Sequence, residues 1–289
     1  MKNMKRIFTL CIILCSITAG FAQTDTSGKQ NPAPEGDTIR IGGMIIIRKP
    51  GSKDETQNKE YKMRTRHSDK PSNLSTNWWI FDFGFSNYTD NTNYGSAAAQ
   101  VYAPGSNKTW FELKDGKSRN VNVWFFMQKL NVIKHVVNLK YGLGLELNNY
   151  RYERSIRYDA KPAAIINPPI VSLDATPNRT YEKDKLAADY LTVPIMVNFN
   201  FTPNRKKGFG ISAGISTGYL YSARNKTITS DEDKRKAKDD FGLEKWKLSY
   251  VAELSLGPVR FYGSYAFKKM YERGLDIKPY NFGFRFSNW

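Results

Sequence analysis

Cysteine, histidine and long apolar runs are all nearly missing from this chain, and each shortage excludes something. The two cysteines, Cys11 and Cys15, both fall within the first 22 residues. A chain that loses those residues on export has no thiol, no disulfide and no cysteine metal site. Such a protein must be held together another way, and closing a sheet on itself so that no edge is left unpaired is one way. Beyond Ala22 no apolar run approaches the roughly 20 residues of a transmembrane helix, and the mean hydropathy is −0.56. That value still suits a membrane protein in which only alternate residues meet lipid. Acidic residues are outnumbered 27 to 44 by Lys and Arg.

The first residues carry an address. Lys2, Lys5 and Arg6 precede an apolar run from Ile7 to Ile17, and small residues follow at Gly20 and Ala22. This is the pattern of a secretory signal peptide over residues 1–22, with cleavage expected after Ala22. Leu14 before Cys15 is too large for a lipoprotein signal. Taking the three charges of the leader from +17 leaves +14 on the exported chain. That balance favours anionic partners such as lipopolysaccharide or phospholipid head groups. The address disfavours nucleic acid.

Residues 23–76 read as a periplasmic N-terminal extension and linker. Residues 23–36 are polar and proline-bearing and are expected to be disordered. The segment DTIRIGGMIIIRK (37–49) places β-branched arms around Gly42-Gly43, which fits a short hairpin or a single extended strand. Residues 50–75 are charged and polar.

From Asn77 to the end the pattern has period two, in eight segments. Trp79, Phe81, Phe83 and Phe85 alternate with Asp82, Gly84 and Ser86 in the first; the second, Val121 to Leu130, is interrupted by the consecutive Trp124, Phe125 and Phe126. The third is the cleanest, with an apolar row from Val137 through Leu143 to Leu147 against Lys140, Gly142, Gly144 and Glu146. The others start near Leu191, Phe209, Trp246, Val259 and Tyr280. A soluble sandwich also has one apolar face, but three features favour a barrel. The polar face is rich in Gly, Ser and Asn with isolated charges, as a narrow interior requires. The apolar rows approach the length of a tilted membrane strand. Connections alternate between long (87–120, 150–186, 223–243, 269–277) and short (131–134, 202–207, 257–258), as in barrels with short periplasmic turns and longer external loops. The expected fold is therefore all-β: an antiparallel transmembrane barrel of about eight strands over 77–289, in the outer membrane of a Gram-negative bacterium, with both termini periplasmic. Aromatics at 14% of the chain suit interfacial girdles.

The strand YLTVPIMVNFNF (Tyr190 to Phe201), the Gly-spaced GFGISAGISTGYLYSARNK (Gly208 to Lys226) and the closing YNFGFRFSNW together resemble the outer membrane β-barrel family that contains PorT-type proteins. The resemblance spans roughly 77–289. It implies an outer-membrane barrel with a structural or interaction role, in envelope integrity or a secretion apparatus. One departure is Trp289, which falls out of step with Phe282, Phe284 and Phe286.

Eight charges occupy inward positions: Asp82, Lys140, Glu146, Lys247, Glu253, Arg260, Lys268 and Arg285. They read either as a selectivity lining or as a mutually paired filling. In eight strands the interior is just wide enough for side chains, so the filling is the expectation and a narrow porin-like channel for small solutes the alternative. Leu143 is expected to face lipid and Gly144 the interior, where a small polar group such as serine should find partners. Enzymatic barrels commonly use His; His67 in the linker and His135 at a short turn reach no external site, so no catalysis is expected. No cofactor or metal motif appears. The loop runs RYERSIRY (151–158) and DEDKRKAKDD (231–240) are expected to be solvated, with lipopolysaccharide contact a second reading. A periplasmic or envelope protein is a further expected partner, and an external adhesin a third functional class.

Overall fold

The computed structural model describes residues 38–41, 44–47, 72–160, 168–203, 205, 208–231 and 234–287. The expected signal peptide, most of the linker with His67, and Trp289 lie outside the described residues. Two units are distinguished, Met1–Pro71 and Ser72–Trp289. In the first, β1 (Thr38–Ile41) and β2 (Met44–Ile47) pair antiparallel, Thr38 opposite Ile47 and Ile41 opposite Met44.

In the second unit, eight strands close a ring. They are β3 (Leu74–Asp90), β4 (Arg119–Ile133), β5 (Val137–Arg151), β8 (Tyr181–Asn200), β9 (Phe209–Thr229), β11 (Trp246–Leu256), β12 (Val259–Ala266) and β13 (Ile277–Phe286). Each pairs antiparallel with its neighbour in this order, and β13 returns to β3, Ile277 opposite Asp90 and Phe286 opposite Phe81. No edge is left along the ring, the condition a membrane imposes on a sheet. Between these strands come the short pair β6 (Ile156–Tyr158) and β7 (Val171–Leu173), and β10 (Arg235–Lys238), which adds to the far end of β9.

Polarity is inverted relative to a soluble domain. Phe83, Ile195, Ile215 and Phe284 are about half exposed, at 49–55%, whereas Asp82, Thr192, Ser216 and Arg285 on the opposite face are 1–6% exposed. Apolar side chains stay outside and polar ones inside only if lipid, not water, surrounds the wall.

The strands end where backbone chemistry ends them. Lys134 and His135 have φ of 43° and 59°, the double positive φ of a two-residue hairpin turn whose twist matches its strands. Gly257 (φ 64°) begins the turn to β12. At the opposite end the strands run farther than the apolar pattern suggests. β8 has 20 residues and β9 has 21, against the roughly 9–11 that cross a bilayer, so about half of each rises beyond the apolar belt.

Two irregularities explain breaks in the sequence pattern. Between Trp124 and Phe126 the β4–β5 register shifts; Trp124 (4% exposed) continues the inward row of Asn120 and Asn122, the bulge at Phe125 passes that row on to Met127, and Phe125 meets Trp79 edge-on at 6.0 Å. A second shift opposite Asp189 and Tyr190 reverses the phase of β9 after Tyr221. The first bulge also corrects the expectation for Gly144. It does face inward, but a Cβ there would lie 2.6 Å from the Val123 carbonyl and 2.7 Å from Trp124 Cε3. No space for serine exists.

Candidate functional site in the barrel lumen

Seven of the eight expected interior charges are buried in the lumen: Asp82, Lys140, Glu146, Lys247, Glu253, Arg260 and Arg285, all 1–7% exposed. The exception is Lys268. It lies two residues past the end of β12, where strand alternation no longer dictates its direction, and it pairs with Glu244 at 2.8 Å with its side chain 37% exposed.

The buried charges form connected pairs. Lys140 on β5 donates to both oxygens of Glu253 on β11 at 2.6 Å. These strands are not neighbours, so the pair crosses the lumen. Arg285 donates to Glu253 at 2.5 Å and, through Nε and Nη2, to both oxygens of Asp82 at 2.7 Å. Asp82 also accepts from Trp124 Nε1 (2.7 Å) and Asn122 (3.1 Å). Its carboxylate is thus met by four donors, the saturation that a buried charge needs.

A second group lies nearer the long-loop end. Glu146 accepts from Lys247, also across the lumen, and from Asn281 at 2.9 Å. Tyr262 donates to Asn120 at 2.5 Å from the opposite wall. Arg260 sits at the end carrying the termini and donates to Ser287 at 2.6 Å. Among the described residues, a cavity of about 50 Å³ lies at the Arg260 end beside Lys140 and Glu253, and one of about 30 Å³ lies between Arg285 and Glu146.

Above the charges is a part that the sequence reading did not find. Residues of the long connections fold over the mouth and bury a largely aromatic cluster that includes Tyr102, Phe111, Tyr152, Ile156, Tyr158, Phe241 and Tyr271. Tyr158 shares hydrogen bonds with Tyr152 (2.7 Å) and Tyr271 (2.9 Å), and Tyr102 donates to the Phe241 carbonyl at 2.7 Å. Burial pushes the phenols of Tyr102, Tyr152 and Tyr158 well above their ordinary value, so they stay neutral. A six-residue helix, Ala97–Tyr102, capped by Ser96, delivers Tyr102. The strand pair β6–β7 is fastened to the wall by Asp184, which accepts from Ile156 N at 2.9 Å and from Asn225 at 3.1 Å. Thus RYERSIRY is not simply solvated: Tyr152, Ile156 and Tyr158 are buried, and the charges between them point away. The alternation was visible, but its buried face had no evident partner within the segment.

A comparison with curated proteins finds no match. The family model described as outer membrane protein beta-barrel domain matches residues 81–275. That span covers well over half of the chain and seven of the eight ring strands, β3 in part and β13 falling outside it, so the chain belongs to the family of outer-membrane proteins with this beta-barrel domain.

Proposed function

We propose that this protein is a closed-lumen barrel whose role in the outer membrane is structural or interactive, not catalytic and not one of solute passage. The observation that carries this reading is the chain of charges Lys140–Glu253–Arg285–Asp82 spanning the lumen beneath the aromatic layer. The cavities left are of a size for a few waters at most and too small for a hydrated solute. A wall so filled offers its outer face, its loops and its N-terminal segment to partners. A periplasmic or envelope protein is the partner class proposed, and an accessory place in a secretion apparatus is the finer role that the PorT-type likeness implies.

Planar-bilayer recording tests the closed lumen. The purified protein should show little or no steady conductance; large ion-selective channels would overturn the proposal and favour a narrow porin. Crosslinking in native membranes, with 37–49 present or deleted, tests the interaction role: crosslinks to an envelope protein that vanish with the segment support it.

A further inference from the structure

The outer face of the wall, beyond the apolar belt, carries a row of cations that only the strand register reveals. Arg151 on β5 is directly opposite Lys185 on β8, Lys185 opposite Lys226 on β9, and Lys226 opposite Lys236 on β10. Directly opposed residues share a face, so all four project from one side. It is the outer side: Arg151 follows Leu147 and Asn149 on the same face of β5, while Tyr150 between them is buried in the cluster over the mouth. One step toward the membrane, Arg224 and Lys238 extend the patch as another opposed pair.

Like charges opposed across strands repel, yet here they run unbroken over four strands. Arg224 has a carboxylate, Asp189, at 3.0 Å. Lys185 is held by a hydrogen bond to Asn149, and among the described residues Lys185, Lys226 and Lys236 form no salt bridge. Arg151 donates through Nη2 to the Glu182 carbonyl, and its Nε is buried without a hydrogen-bond partner. The repulsion registers on the amines: burial together with Lys183, Arg224 and Lys226 lowers Lys185 to about 8, and Lys183 holds Lys226 below its usual range. Seven residues farther down β9 from Lys226, about 23 Å along the strand, lie Tyr219 and the edge-on Trp246, ring centres 5.0 Å apart and both exposed, an aromatic pair of the kind that marks a membrane interface.

We infer that this cation row is a binding site for the phosphates of a phosphorylated glycolipid in the outer leaflet. The inference rests on the outer-membrane placement, which puts the long-loop end of the strands at the cell surface. The row spans three strand spacings, about 14 Å. That is wider than one phosphate and suited to a head group carrying two.

Native mass spectrometry of the full-length detergent-solubilised barrel tests this, with bisphosphorylated lipid A, its dephosphorylated form and phosphatidylglycerol as probes. Bound lipid A should exceed either of the others by about tenfold. The Lys185→Gln/Lys226→Gln variant should lose that excess, while Lys185→Arg/Lys226→Arg keeps it. Without lipid, the Gln variant should melt no lower than the unmodified protein, because repulsion has been removed; this separates lost binding from misfolding. Equal retention of lipid A and its dephosphorylated form, equal retention of phosphatidylglycerol, or a Gln variant that binds as before would overturn the inference. The measurement uses purified protein. A failure of the outer-membrane placement would appear instead in fractionation and in protease access to 231–240 on intact cells.

Discussion

Glu253→Gln removes one charge from the centre of the lumen while keeping side-chain size. Glu253 is 2% exposed and accepts from Lys140 at 2.6 Å and Arg285 at 2.5 Å. Arg285 retains its paired bonds to Asp82; Lys140, 1% exposed, loses its carboxylate. Leaving one member of a buried pair uncompensated costs about 3–5 kcal/mol. For a domain of this size each kcal/mol shifts the melting point by about 2–4 °C, which gives a fall of about 6–20 °C. The assay is thermal loss of the compact gel-mobility form, with near-ultraviolet dichroism as a second probe. The double change Lys140→Met/Glu253→Met removes both charges and should regain most of the loss, because desolvating a pair offsets much of its attraction. A Glu253→Gln melting point within about 2 °C of the original, or a double variant no better than the single, would refute the paired-core reasoning. Unchanged melting together with altered ion selectivity would instead identify a pore lining.

Three other outcomes are expected. Leu143→Arg places a cation on the lipid face near mid-strand, where it costs about 2–4 kcal/mol; Ser249→Ala, at a buried hydroxyl with no hydrogen-bond partner, should be tolerated, and equal damage to heat-modifiable mobility would contradict the facing assignment. Asp184, above the apolar belt, is raised to about 7 by burial, so its ionised form is disfavoured in the fold. Its contribution to stability is full below the unfolded value near 4 and is lost as pH rises through 7. The melting point should therefore drop between pH 5 and 8 by more in the original than in Asp184→Asn, and identical slopes would remove Asp184 as the cause. Tyr158→Phe breaks the hydroxyl links to Tyr152 and Tyr271, at a cost of about 1–3 kcal/mol for the groups left unpaired. Protease cleavage within 150–186 should quicken while barrel mobility on gels is unchanged.

The eight strands and the face of most of their residues were legible in the sequence because parity decides which side of a regular strand meets lipid. Leu143 and Glu146 could be placed by counting. Counting fails where backbone geometry changes. It sent Lys268 inward because the end of β12 at Ala266 left no mark in the alternation. It also missed Trp124 as a donor to Asp82, because the bulge at Phe125 reverses the phase just after Trp124, and the three consecutive aromatics do not show which of them points inward. Nor could it see that Gly144 is packed against Trp124.

What the sequence determined by itself was therefore one-dimensional: period two, inward charges of both signs, and long connections alternating with short. Which charge meets which was decided only when the ring closed. Lys140 and Glu253 are 113 residues apart and become partners across the lumen through the curvature of the whole wall. The aromatic layer over the mouth likewise draws Tyr102, Tyr158 and Tyr271 from three separate connections, and the cation row exists only in the register of four strands. Alternation is a property of one strand, whereas register, curvature and cross-lumen pairing belong to strands distant in sequence, and no local pattern encodes them.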